Sequence, residues 1–500
     1  MSVERIRILL TSVSIAMASI ATPVWAFDPL LTGSAISDSP AADMLMSGQI
    51  CEFDGLPSPL RLQDAIERAL CNHPKTREAW ANVKIQASEV GTARAAYLPT
   101  VNGNWQGTRD NAHNSVDGYP QFDSNYKTNL QQASVSLSWV LYDFGDRAGG
   151  LRNANELLAA AQANQHLALQ QVFATVAKDY YAAQAAEGSL VAARETEATA
   201  RSSADVATAR ADRGVAAISD QLQAQTAYAQ AVITLTQAER DRDSARGVLA
   251  SDMNLPPATA MTLPDVNAGI APDKNFSDSV ASLIDDAQTR YPGILAAEAQ
   301  LDAARAKVDQ IRAEGLPRLS LVAQYNYNNQ PTSLQLGFPV FPANHREWYL
   351  GFQVTIPIFE GFARTYQVRQ AEAQVELQQD TLDEVRQQVE LDVWNSYQAL
   401  RSATLTLEQS QTLLDLAGHS YSAAQKRYKI GVGNILELLN AQSALANAKK
   451  QRIQSLTDWR SARLQLAGKL GELGIWRLDR SEQSETNSIR TRRWTKTSPQ

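Results

Sequence analysis

One short stretch of this chain has residue types and spacing that could do chemistry. Glu437 and Asn440 stand three residues apart, so on a helix they share a face, and Asp220 and Gln223 repeat that spacing 217 positions earlier. Each pair offers one carboxylate and one amide, groups that could act through charge and hydrogen bonding. The plain alternative is that Glu437 is an ordinary solvated helix residue. Other reactive side chains offer less. The five histidines (His73, His113, His166, His345 and His419) lie in unrelated segments with no ligand-like spacing, and the adjacent Asp285 and Asp286 read as solvated helix surface. The sequence contains no nucleophile elbow, phosphate loop or C-x-x-C. No catalytic constellation, cofactor site or metal site is expected.

Cys51 and Cys71, the two cysteines of the chain, are 20 positions apart. In an exported protein such an isolated pair most simply forms a disulfide, two unlinked thiols being the alternative. Export is expected from the N-terminus: Arg5 and Arg7 precede a largely apolar run from Ile8 to Ile20, and Val24-Trp25-Ala26 offers a small-residue cleavage site. No later segment approaches the length of apolar sequence that a membrane-spanning helix needs. If the mature chain crosses a membrane, strands must do it. The formal net charge of −7 gives no basic footprint for nucleic acid.

The two acid–amide pairs belong to a larger duplication. Arg210-Ala-Asp-Arg-Gly214-Val215 and Arg427-Tyr-Lys-Ile-Gly431-Val432-Gly433 open two versions of one passage, ending at Gln225 and Gln442. A repeat of this length is too large for a solenoid unit and implies a half-protein built twice. The element pattern agrees. A helix is expected from about Leu62 to Leu98, interrupted at His73-Pro74 and ended by Pro99. Period-two alternation follows in Val101, Gly103, Trp105 and Gly107, then a loop rich in Asn, Asp, Gly and Ser, then a strand through Val135, Leu137 and Trp139. Helical sequence runs from Gly145 to Met253, broken around Gly214. It is rich in Ala, and it is long enough (about 100 Å from 146 to 213 at 1.5 Å per residue) to need coiled-coil partners.

The second half repeats the order. Tyr291-Pro292 echoes His73-Pro74, and Leu316-Pro317 echoes Leu98-Pro99. Strands follow through Leu319, Leu321, Ala323, Tyr325 and Tyr327 and through Trp348, Leu350, Phe352, Val354 and Ile356, with Pro331, Pro339 and Pro342 in the loop between. The expected organisation is a signal peptide (1–26), a leader (27–60), repeat one (61–254), a linker (255–278), repeat two (279–473) and a polar, disordered tail (474–500). Four alternating strands of about ten residues suit a membrane barrel but cannot close one. Open edges are forbidden in lipid, so other copies must complete the barrel, and three copies would supply twelve strands. Trp105, Trp139, Tyr325, Tyr327, Trp348 and Phe352 are candidate membrane-facing aromatics.

This arrangement resembles the TolC family of outer-membrane channel proteins. The match rests on Ala95-Ala96-Tyr97-Leu98-Pro99, Val140-Leu141-Tyr142-Asp143-Phe144-Gly145, Gly315-Leu316-Pro317, Ile356-Pro357-Ile358-Phe359-Glu360-Gly361 and the passage from Tyr428 to Gln442. The resemblance implies a homotrimer in the outer membrane: a twelve-stranded barrel continuous with an all-α periplasmic tunnel of long coiled-coil helices. It implies a passive duct served by an inner-membrane transporter and a periplasmic adaptor (membrane fusion protein). The turns at Gly214 and Gly431 would lie at the periplasmic tip, with Gly214, Val215, Gly431, Val432 and Gly433 presented to the adaptor. Relatives carry acids at the positions of Glu437 and Asn440; this chain keeps only the first, so a two-ring filter is not implied. The route is expected to be type I secretion of a polypeptide with an ABC transporter, because no lipid anchor is read near Cys51. Small-molecule efflux with a proton-driven pump is the alternative, and a pore-free periplasmic scaffold is a third reading.

Overall fold

A computed structural model describes residues 28–41, 44, 51–53, 55–266, 280–330, 341, 343–471 and 473 of the 500. The signal segment, the second part of the linker, the loop prolines 331, 339 and 342, and the tail from 474 lie outside the described residues.

The helices occur as matched pairs. In the first half α1 (Leu62–Asn72), α2 (Pro74–Ala95), α3 (Asp146–Asp212) and α4 (Ile218–Asp252) contain 11, 22, 67 and 35 residues. In the second, α5 (Val280–Arg290), α6 (Pro292–Ala313), α7 (Ala363–Lys429) and α8 (Ile435–Lys469) contain 11, 22, 67 and 35. Identical lengths in both copies express the duplication directly. The strands lie between the second and third helix of each copy: β1 (Thr100–Asn114) and β2 (Ser124–Tyr142), then β3 (Arg318–Asn328) and β4 (His345–Thr355). Among the described residues no helix is long and apolar enough to cross a membrane.

The chain divides into two compact units. One comprises residues 1–36, 84–155 and 306–371, and the other 37–83, 156–305 and 372–500.

The first unit holds a four-stranded antiparallel sheet in the order β1-β2-β3-β4. Side chains alternate across a strand, so the register decides which of them share a face. Gly103, Val135, Tyr325 and Trp348 form one row across the sheet, and Trp105, Ala133, Tyr327 and Arg346 the next; Trp139, Leu321 and Phe352 stand in a lower row. All six aromatic candidates therefore lie on one face, and Trp105, Trp348 and Phe352 are 70%, 75% and 73% exposed. The opposite face carries Asn102, Asn104, Ser134, Ser136, Gln324 and Gln353. Each outer strand, β1 and β4, has one edge with no partner in the sheet.

Two expectations about the strands need correction. They are not all about ten residues: β1 has 15 and β2 has 19. Much of the expected Asn-, Asp- and Ser-rich loop is ladder, paired from Gly107–Gln131 to Asn114–Ser124. The alternation that marks a strand in sequence comes from one apolar face. This ribbon is polar on both faces, so its backbone pairing left no such trace.

Ionic contacts anchor the strand-to-helix junctions of this unit. Arg147 meets Asp143 at 2.6 Å in a largely buried pair, donates to the Val140 carbonyl at 2.6 Å and stacks on Tyr97. The equivalents 217 positions on, Glu360 and Arg364, pair at 3.2 Å, and Arg364 also meets Glu314 at 2.7 Å. Glycine at 149 lets α3 approach α6 closely, since a Cβ there would stand 2.8 Å from the Gln310 amide nitrogen.

The second unit is helical. Its main core joins Ile66 and Leu70 of α1, Leu169, Phe173, Val176 and Tyr180 of α3, and Leu249 and Met253 at the end of α4. A second cluster joins Ile294 and Leu301 to Leu382, Val389, Val393 and Leu466. Along α3, Ala177, Ala183, Ala200, Ala204 and Ala207 are buried, and such small side chains let helices pack closely. The leader is part of this core. Ala41 and Met44 are buried in it, the Trp80 indole donates to the Ser37 carbonyl at 3.0 Å, and Gln165 donates to the Pro40 carbonyl at 3.0 Å. Cys51 and Cys71 are joined in a disulfide with their Cα atoms 5.7 Å apart. Arg460 and Gln184 hold the linker: each donates to a carbonyl between Pro264 and Val266 at 3.0–3.1 Å, and Arg460 donates to the Gln184 oxygen at 3.0 Å.

Candidate functional site

The two helix turns of the duplicated passage lie in the helical unit and are built alike. The turn after α3 holds Gly214 with φ +71°, and the turn after α7 holds Gly431 with φ +82°. The Gly214 amide bonds the Ala211 carbonyl at 2.8 Å and the Val215 amide bonds the Arg210 carbonyl at 3.0 Å. The same two bonds recur as Gly431 to Tyr428 at 3.1 Å and Val432 to Arg427 at 3.0 Å. This paired pattern satisfies the last helical carbonyls and needs a left-handed residue at its centre, which glycine supplies without a Cβ penalty.

The copies then diverge. Asn434 caps α8, its side-chain oxygen accepting from the Glu437 amide at 2.7 Å; the first copy has Ala217 at that place and no side-chain cap. The arginine four residues before each glycine also takes a different partner. Arg210 crosses to the second copy, donating to the Tyr428 and Lys429 carbonyls at 3.0 and 3.2 Å and lying 4.5 Å over the Tyr428 ring. Arg427 instead meets Glu437 at 3.1 Å, with both side chains about half exposed. A shared apolar cluster backs the turns, with Ala204, Ala207 and Ala224 from the first copy and Tyr428, Ile435 and Leu438 from the second. Outside it Val215, Ile218, Ile430 and Val432 remain 64–74% exposed.

The structure places the predicted polar residues as follows. Glu437 and Asn440 are exposed on the first turns of α8, Asp220 is half-buried in the first turn of α4, and Gln223 is exposed. Glu437 is not a bare carboxylate, because the Arg427 guanidinium lies 3.1 Å from it in a half-exposed ion pair. Sequence reasoning used Arg210 and Arg427 only as markers of the repeat and missed what their side chains do. It also missed the Asp143–Arg147 and Glu360–Arg364 pairs, although the 217-residue offset that aligns the halves pairs these residues too. Among the described residues no group of three His, Cys, Asp or Glu could hold a metal ion.

A family model described as outer membrane efflux protein matches residues 65–253 and again 283–472. The chain belongs to the outer membrane efflux protein family. The two matches span the two copies, and members of this family are transport channels of the outer membrane. Among curated relatives, Protein CyaE of Bordetella pertussis is 32% identical over 473 residues, covering 92% of this chain and 96% of that protein. The toluene efflux pump outer membrane protein TtgC of Pseudomonas putida is 25% identical over 442 residues, with 86% of each chain covered. The crystal structure of the outer membrane protein VceC from Vibrio cholerae superposes with a TM-score of 0.69 at 18% identity, over 83% of this chain and 96% of that one. The fold of this efflux-family chain is thus the TolC-like one of long helices and a few barrel strands.

Proposed function

We propose that the chain is the outer-membrane exit duct of a three-component export system and works as a homotrimer. The observation that carries this is the sheet: four strands with one continuous apolar, aromatic face and two open edges. A membrane tolerates no unpaired edge, so the sheet must close with other copies, and three make a twelve-stranded barrel. The apolar face would then meet lipid and the polar face water. The duct has no chemistry of its own; it lowers the barrier to crossing by enclosing an aqueous path.

The duplicated turns are the periplasmic end. Exposed Val215, Ile218, Ile430 and Val432 form an apolar surface of the sort that partner proteins cover, and Gly214, Gly431 and Gly433 let the chain turn there. An adaptor hairpin docks on this surface. Threefold symmetry turns Glu437 into a ring of three carboxylates, with Asn440, Asp220 and Gln223 adding polar rings, and this constriction favours cations. Arg427 tempers the charge of the Glu437 ring.

The cargo is a polypeptide delivered by an inner-membrane ABC transporter. The match to CyaE over nearly the whole length of both chains supports placing this chain beside that protein rather than beside TtgC. The efflux names of relatives such as TtgC favour a second reading, small-molecule export with a proton-driven pump. Purified protein in planar bilayers tests the duct: discrete, cation-selective conductance is expected, and its absence refutes the reading. Deletion in the source cell tests the cargo. Retention of one large exported protein fits the first route, and sensitivity to dyes and antibiotics alone the second.

A further inference from the structure

The polar ribbon formed by β1 and β2 separates charge by face. The face continuous with Trp105 and Val135 carries, beyond the aromatic rows, Gly107, Arg109, Asn111 and His113 of β1 and Asn125, Lys127, Asn129 and Gln131 of β2. It has two permanent cations, one histidine and no acid. Arg109, His113 and Lys127 are all exposed. Arg346 joins them at the level of Trp105, lying 6.0 Å over the Tyr327 ring. The acids are on the other face, where Asp110 stands in β1 and Glu347 pairs with Asn326.

We infer that this cationic face binds phosphate-bearing headgroups of the outer leaflet's anionic lipid. The inference rests on the proposed membrane placement, in which the aromatic face meets lipid and the helix-linked strand ends face the periplasm. Heights follow from the register. From Leu319 to Tyr327 the apolar face runs about 26 Å along the strand at 3.3 Å per residue, or about 20 Å of height at a tilt of about 40°, which accounts for most of the apolar band of an outer-membrane barrel. Trp105, Tyr325, Tyr327 and Trp348 then mark its outer interface. Arg346 lies at that level, Arg109 about 13 Å further along the strand and Lys127, opposite Asn111, about 20 Å further. With strands tilted about 40°, these cations stand up to about 15 Å above the interface, where headgroup phosphates and the sugars that carry them reside. Guanidinium groups suit phosphate through paired donors. On the β1–β2 ribbon both permanent cations lie on one face and the single ladder acid, Asp110, on the other.

The test uses the full-length protein in detergent, incubated with lipid A or with phosphatidylcholine, and measures lipid phosphorus retained per protein after gel filtration at low and high salt. Lipid A is expected to be retained preferentially, and less so at high salt. Replacement of Arg109, Lys127 and Arg346 by Gln should lower its retention by roughly fivefold for each cation removed, leaving phosphatidylcholine unchanged. Glu347→Gln, on the opposite face, should change neither. Equal retention of the two lipids by the wild type, or undiminished lipid A on the triple variant, overturns the inference. Conductance of the same samples separates two failures. Protein that forms no pore refutes the duct reading, whereas conducting protein without lipid preference refutes only this one.

Discussion

Arg210 is the residue through which the first copy's turn holds the second, and replacing it with Gln tests that role. The guanidinium donates to the carbonyls of Tyr428 and Lys429 at the end of α7 and lies over the Tyr428 ring. A charged donor there also offsets the negative end of the helix dipole. Charge-assisted hydrogen bonds contribute about 1.5–3 kcal/mol when desolvated, and a cation over an aromatic ring about 0.5–1 at an exposed site. Arg210 is half-buried, so a combined loss of about 2 kcal/mol is the reasonable figure, which multiplies local opening about 30-fold. The reporters are the amides of Gly431, Val432 and Gly433, which bond the Tyr428 and Arg427 carbonyls at 3.0–3.1 Å.

Hydrogen exchange followed by mass spectrometry should show these amides exchanging about 30-fold faster in Arg210→Gln. The amides of Gly214 and Val215, which bond their own helix end, should change little. Arg427→Gln supplies the comparison, since its bridge to Glu437 is exposed and worth about 1 kcal/mol or less, hence a change of about fivefold at most. If Arg210→Gln leaves the second turn within about threefold of wild type, or loosens only its own turn, the cross-copy tie is not what holds it.

Asn434→Ala should destabilise the α8 start by about 1 kcal/mol, whereas Ala217→Asn should stabilise α4, both read as shifts in chemical denaturation midpoint. Serine at Cys51 and Cys71 removes a bridge closing a 20-residue interval; the expected loss is about 3 kcal/mol, and a reductant should reproduce it on the wild type. Burial, together with the neighbouring Asp179, raises the Asp252 carboxyl to a pKa of about 7 from the ordinary 3.8. The folded state therefore binds a proton that the unfolded state has released, so this group's contribution to stability should fall as pH rises from about 4 to 7. Asp252→Asn should flatten that slope and raise the melting temperature at pH 8, and an unchanged slope would exclude the pair as its source. On the proposed duct, Arg427→Gln should increase cation over anion permeability in planar bilayers; an unchanged ratio would remove Glu437 from the constriction.

The parts of the fold with a strong periodic or punctuating signal were legible in the sequence. Pro74 and Pro292 open α2 and α6, whereas Pro99 and Pro317 stand directly before β1 and β3, four residues past the helix ends at Ala95 and Ala313, so the helix expected to run to Leu98 stops three residues earlier. The turn glycines announced themselves by recurring at one offset. The polar ribbon beyond Gly107 was not legible, because cross-strand hydrogen bonds need no apolar face. Nor was the packed leader, since Ala41 and Met44 contribute apolar area without any period. The cross-copy contact of Arg210 was hidden for a different reason. An arginine's reach depends on which helix end folds beside it, and alignment of the two halves makes Arg210 and Arg427 look equivalent.

That inequivalence bears on how a duplicated scaffold could act as a valve. Two identical turns would satisfy identical bonds, and neither would have reason to move before the other. Here the first turn supplies a cation to the backbone of the second, while the second spends its own cation on Glu437 and acquires a side-chain cap at Asn434. Backbone carbonyls do not titrate and are poorly screened when half-buried, so the Arg210 contact should persist across pH and salt. The Arg427–Glu437 bridge is exposed and weakens as salt rises. The second turn thus has one contact that conditions alter and one that yields only when something competes for the Tyr428 and Lys429 carbonyls or draws Arg210 away. A docking partner that contacts the exposed valines beside both turns is placed to do the latter. On the proposed duct, salt would loosen only the Arg427–Glu437 bridge, and release of the cross-copy tie would wait for the partner.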